Sequence, residues 1–173
     1  LDQAVALLRD RNGDRRPTND VEVITLTIGG NDVFGPVVAA CAAGVTPQCQ
    51  QTVAAVFGSY QTNLTQILGG LREAAGPDTD IVTTAYDNPL PYCALSALAP
   101  VASLVLEGGT GLPAGLNDIT RSVAAAYDVD VAETFNLLAP EDWPVNEDGS
   151  GDCLHPNGDG HEKVKDAFLA ALG

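Results

Sequence analysis

The chain has 173 residues, 45% of them apolar, and a formal net charge of −15. That size suits one domain around one core. The charge excludes nucleic acid and anionic membrane surfaces, whose phosphates call for clustered Lys and Arg.

Residues 1–11 read as an amphipathic helix with Val5, Leu7 and Leu8 on one side. Asn12 to Asp20 is a polar, turn-rich link. Val21 to Ile28 (VEVITLTI) is β-branched and mostly apolar, which predicts a strand buried on both faces and ended by Gly29 and Gly30. A variable region follows. Residues 51–75 carry Val53, Val56, Tyr60, Leu64, Ile67, Leu68 and Leu71 at helical spacing, and Gly76-Pro77 stops that helix. Asp80 to Tyr86 (DIVTTAY) reads as a second strand. A loop rich in Pro, Gly and Leu runs from Asp87 to about Pro113. A helix over 114–127, with Leu116, Ile119, Val123 and Ala126 inward, leads to a third strand, Val129 to Phe135 (VDVAETF). A long polar loop, 136–156, precedes a closing helix from Asn157 to Leu172 with Val164, Phe168 and Leu172 inward.

Strands alternating three times with helices predict an α/β three-layer fold with a parallel sheet over residues 1–173. Such sheets place ligands beyond the carboxyl ends of their strands. The loops after Ile28, Tyr86 and Phe135 are therefore the informative ones. No apolar run reaches the roughly 18 residues of a membrane span, so stable membrane insertion is not expected. There is no Met and no charged-then-apolar leader. With Leu1 inside an apparent helix, the start of the protein is expected upstream.

Four cysteines, Cys41, Cys49, Cys93 and Cys153, fit two disulfides and an oxidising compartment. They lack CxxC spacing, so no metal or other cofactor is expected of them. Three pairings are possible. Cys41 and Cys49 flank a loop with Gly44 and Pro47, which favours a local staple and leaves Cys93 with Cys153. Four buried free thiols are the alternative.

Two segments carry candidate chemistry. Gly29-Gly30-Asn31-Asp32 directly follows a strand. Its glycines allow a sharp turn, and Asn31 would present an amide able to donate to a developing oxyanion. Alternatively, Asn31 or Asp32 merely caps a helix. Asp152-Cys153-Leu154-His155 lies between the last strand and the last helix. His155 has the chemistry of a general base, and Asp152 could accept from its ring N–H and fix the tautomer. Alternatively this is an acidic surface loop in which Asn157 caps a helix. His161, in the first turn of that helix, reads as structural.

Taken together, ITLTIGGND resembles the third conserved block of SGNH/GDSL hydrolases, and DCLHPNGDGH resembles their fifth. The block spacing and the intervening βαβα pattern match as well. The cysteine pair after GGND, and the cysteine within DxxH, are similar to those of secreted bacterial lipases and phospholipases of this family. The resemblance implies a flavodoxin-like parallel sheet and a serine-dependent esterase. In it Asn31 is an oxyanion donor, His155 the general base, Asp152 its partner and Gly29 the turn glycine. It also implies a secreted protein that acts on a small-molecule or lipid ester and is monomeric at full length. The family's first block, Gly-Asp-Ser, has no match: Ser59, Ser96, Ser103, Ser122 and Ser150 all lack a preceding Gly-Asp. The glycine of the second block is likewise missing. Both, with the central strand that delivers the serine, are expected upstream of Leu1.

Rival readings are weaker. No G-x-S-x-G occurs, which sets aside an α/β-hydrolase. Asp148, Ser150 and Asp152 alternate as in a calcium loop, but the sixth position is Cys153 and the twelfth Asp159. A non-catalytic relative that binds without turnover is the remaining alternative. The loops 33–50 and 87–113, with Phe34, Val37, Val38, Leu90, Leu95 and Leu98, are expected to shape an acyl pocket.

Overall fold

The computed structural model describes residues 1–14, 16–146 and 150–173. Among them, β1 (Val23–Leu26), β2 (Asp80–Ala85) and β3 (Asp130–Glu133) form one parallel sheet in the order β1-β2-β3. Six α-helices accompany it: α1 (Asp2–Arg11), α2 (Gly30–Cys41), α3 (Pro47–Ala75), α4 (Ala99–Glu107), α5 (Leu116–Ala126) and α6 (Gly158–Ala171). The expected α/β class, parallel sheet and order of elements are present.

The register decides which side chains share a face. Thr25 lies opposite Val82, and Val82 opposite Asp130. Ile24, Leu26, Ile81 and Val131 therefore project to one side, because alternate residues of a strand point to opposite faces. That side packs on the α3 and α5 stripe, including Leu64, Leu68, Leu116 and Val123. Val82 and Ala132 are buried on the opposite side, where α6 packs on β3 and β2.

The first strand departs from expectation. It is not buried on both faces: Val23 is 44% exposed, and Thr25 and Thr27 are exposed beside it. The reason is position. β1 is an edge strand, and α6 packs on the other two, so only its Ile24–Leu26 face meets the core.

Helix α3 starts earlier than its apolar stripe alone predicts. The Thr46 side chain accepts the Cys49 N–H at 3.2 Å as an N-cap, and Pro47 occupies the first turn. Its buried residues, Cys49, Val53, Phe57, Tyr60, Leu64, Leu68, Leu71 and Ala75, recur every three or four positions. Gly76, at φ 84°, ends it. In α1 only Leu8 is fully buried, and Leu7 turns out to solvent at 51% exposure. Ala126 of α5 is likewise exposed rather than inward.

Two helices occupy segments expected to be irregular. The variable region after Gly30 is α2, with Pro36 inside it. The supposed Pro/Gly/Leu loop holds α4, which carries Pro100 in its first turn. In both, proline reads locally as a breaker; Pro100, in the first turn, lacks only an N–H that would be orphaned anyway, whereas Pro36 sits inside α2 and removes one bond of its ladder. Cys41–Cys49 and Cys93–Cys153 sit at disulfide distance, with Cα separations of 4.7 and 5.7 Å. Both expected pairs are therefore formed. The first staples α2 to α3. The second ties the loop after β2 to the loop after β3.

Candidate functional site

The turn after β1 is built around two glycines and two tyrosines. Gly29 takes a left-handed φ of 103°, which side-chain-bearing residues rarely adopt. A Cβ on it would lie 2.3 Å from the Tyr60 ring. Gly30 packs under Tyr86, and its N–H donates to the Tyr86 Oη at 3.1 Å. The chain thus enters α2 abruptly, and Asn31 stands exposed on the helix's first turn. The helix N-terminus adds partial positive charge there.

The loop after β3 forms the facing wall. Asp152 Oδ1 accepts the N–H groups of Leu154 at 2.8 Å and His155 at 3.1 Å. Its Oδ2 lies 2.8 Å from His155 Nδ1. The Leu154 N–H and the imidazole hold this carboxyl below the usual carboxylate range. The three-residue spacing makes that geometry local: one carboxylate closes the turn and grips the ring it precedes. Among the described residues, His155 Nε2 has no partner. Cys93–Cys153 anchors the same loop, and Asn157 caps α6 by accepting the Gly160 N–H at 3.0 Å.

Gly29, Asn31 and His155 all line one cavity of about 800 Å³, and Asp152 reaches it through His155. Phe34, Val37, Val38, Leu90 and Leu98 line it as expected. Leu95 does not, being 41% exposed elsewhere. His161, in the first turn of α6, is exposed and lines the cavity too.

Several participants escape a reading of the sequence. Tyr60 and Tyr86 hold the glycine turn from α3 and from the end of β2. Asp87 accepts N–H groups from Asn88, Asn136 and Leu138, joining the loops after β2 and β3, while burial pushes its pKa up. Tyr86 ends a predicted strand and Asp87 follows it directly, so the carboxyl-end rule is the signal that could have found them. On the cavity wall, the Thr84 hydroxyl and the Trp143 indole N–H are buried and find no hydrogen-bond partner among the described residues. No serine lines the cavity among the described residues. Nor do those residues contain a His/Cys/Asp/Glu group arranged to hold a metal. Asp148, the first residue of the calcium reading, lies outside the described residues.

His155, held by Asp152, and Asn31 thus line one cavity fed by the loops after β3 and β1. The chain belongs to the GDSL-like lipase/acylhydrolase family, whose sequence model matches residues 3–163. A search of curated proteins finds no match. No helix among the described residues is long and apolar enough to cross a membrane, and the two cystine pairs are consistent with an extracellular protein.

Proposed function

We propose that this chain carries the base and one oxyanion donor of a secreted carboxylic ester hydrolase, within a single SGNH-type domain. The observation that carries the reading is the 2.8 Å contact between His155 and Asp152 on the cavity that Asn31 also lines. In this reaction His155 Nε2 takes the proton of a serine hydroxyl as the oxygen attacks the ester carbon. Asp152 accepts from Nδ1–H, which fixes the tautomer and favours the imidazolium. The Asn31 amide donates to the developing oxyanion. The protonated His155 then gives its proton to the departing alcohol, and water hydrolyses the acyl-enzyme by the same steps in reverse.

The serine comes from a segment outside residues 1–173. Supporting this, the cavity wall holds no serine among the described residues. Among the described residues no strand pairs with the outer edge of β1, and Val23, Thr25 and the following Thr27 are exposed. A serine-bearing strand beside β1 would cover that edge, and the unpartnered Thr84 and Trp143 donors lie on the adjoining cavity wall. The test is a fluorophosphonate label applied to the longer polypeptide. One covalent label on a serine N-terminal to Leu1, lost in His155→Ala, is the expected result. A label on Ser59, Ser96, Ser103, Ser122 or Ser150 overturns it.

A further inference from the structure

Tyr86 is the first residue past β2. The pairings of that strand end at Thr83 with Leu26 on one side and at Ala85 with Glu133 on the other, so the Tyr86 main chain lies beyond the ladder. Asn117, 0% exposed in the first turn of α5, takes the place of a neighbouring strand. Its Oδ1 accepts the Tyr86 N–H at 2.7 Å, and its Nδ2 donates to the Tyr86 carbonyl at 2.8 Å and to Glu107 Oε1 at 2.6 Å. One acceptor and two donors are thereby used, whereas the reversed amide would set donor against donor and oxygen against oxygen. Glu107, at the end of α4, is held in turn by Arg121, which also grips Glu133 at the end of β3 through two contacts of 2.7 Å. The hydroxyl of the same Tyr86 accepts the Gly30 N–H at 3.1 Å, one residue before Asn31. A matching grip exists at the amino end of the sheet. Asn12 Oδ1 accepts the Val21 N–H at 2.8 Å, and its Nδ2 donates to the Val21 carbonyl at 3.1 Å. Neither Asn12 nor Val21 lines the cavity. The two amides share a structural task and differ in what the gripped residue touches.

We infer that Asn117 is a positioning residue for the hydrolytic site, acting on the Asn31 amide through Tyr86 and Gly30. This rests on the ester hydrolase reading, which makes Asn31 the oxyanion donor. Such a donor works only at a fixed place, and a displacement of about 1 Å can cost on the order of 10²-fold in rate. Asn31 is exposed, so packing does little to hold its side chain. Its place depends on the backbone that carries it. The Gly30 N–H is held by Tyr86, and the Tyr86 main chain by Asn117. Asn117 itself does not line the cavity, so it touches no substrate and acts only through these contacts.

The test measures steady-state hydrolysis of a chromogenic ester and the NMR shift of the Gly30 amide proton in the longer polypeptide that includes the serine. The variants are Asn117→Leu, Tyr86→Phe, the two combined, and Asn12→Leu. Asn117→Leu keeps the volume and removes the grip, and Tyr86→Phe keeps the ring and removes only the acceptor. Each should lower kcat by about 10–10²-fold, with KM within about twofold, and move the Gly30 proton upfield. The combined variant should lose no more than Asn117→Leu alone, since both changes cut one chain of contacts. Asn12→Leu should lower the thermal midpoint as Asn117→Leu does, yet leave kcat and the Gly30 shift in place, which separates positioning from loss of stability. Losses that multiply in the combined variant, an unchanged kcat in Asn117→Leu, or an equal loss of kcat in Asn12→Leu overturn the proposal. Should Asn117→Leu not fold, Tyr86→Phe decides, and an unchanged kcat or an unmoved Gly30 shift there overturns it. No hydrolysis by the unaltered polypeptide sinks the enzymatic reading alone, and the Gly30 shift in Asn117→Leu then decides whether the chain of contacts exists.

Discussion

Asp152 binds His155 twice, through the backbone N–H at 3.1 Å and through the imidazole Nδ1 at 2.8 Å. One side chain therefore sets both where the ring is and which nitrogen faces away. In the polypeptide that includes the serine, His155→Ala should lower kcat by about 10²–10⁴-fold, the usual worth of a positioned general base. Asp152→Asn should cost less, because an amide oxygen can still close the turn. Steady-state rates on a chromogenic ester measure both, and an unchanged rate in His155→Ala contradicts the assignment.

The same contacts give a pH dependence with a definite sign. Asp152 is held below the usual carboxylate range. Its interactions therefore stabilise the loop above the unfolded carboxylate pKa of about 4, and are lost as pH falls through the lower folded value. A carbon-detected NMR titration of this carboxyl should show a midpoint below about 4. A midpoint at or above that value removes the predicted grip on His155.

Asn31 is exposed on the first turn of α2, so Asn31→Ala should leave the fold intact. As a lost oxyanion donor it should lower kcat by about 10²–10³-fold. Comparing kcat with KM separates this from weakened substrate binding: a change confined to KM would remove Asn31 from the transition state.

Two glycine substitutions should act in opposite directions. Gly29→Ala puts a methyl 2.3 Å from the Tyr60 ring at a φ of 103°, and should destabilise by about 2–4 kcal/mol. Gly58→Ala lies in α3 with nothing within 4 Å of the new atom, and should stabilise by about 0.5–1 kcal/mol. Denaturant melts of both variants check the pair.

The exposed β1 edge predicts behaviour as well. An unpaired strand edge invites self-association, so residues 1–173 alone should form concentration-dependent oligomers by light scattering and hydrolyse no ester. A monomer with turnover equal to the longer polypeptide would place the nucleophile within this chain.

Much of this protein is local enough to be written in the residue order. The β-branched runs at Val21–Ile28 and Asp80–Tyr86 specify strands, and the apolar stripe from Val53 to Leu71 specifies α3, because periodicity alone decides which face can be buried. The Asp152–His155 contact spans three residues, so the motif itself contains its geometry. What the sequence could not decide is which elements become neighbours. Leu7 and Val23 are as apolar as Leu8 and Ile24, yet they face solvent at 51% and 44% exposure, because they lie on the sides of their elements turned away from the core. Pro36 and Pro100 resemble breakers, yet they sit in helices that wall the cavity. Tyr60 and Tyr86 lie far along the chain from Gly29 and Gly30 and give no local sign of holding them. These outcomes depend on long-range packing, in which each side chain's burial is set by a partner that its own neighbours in the chain do not name.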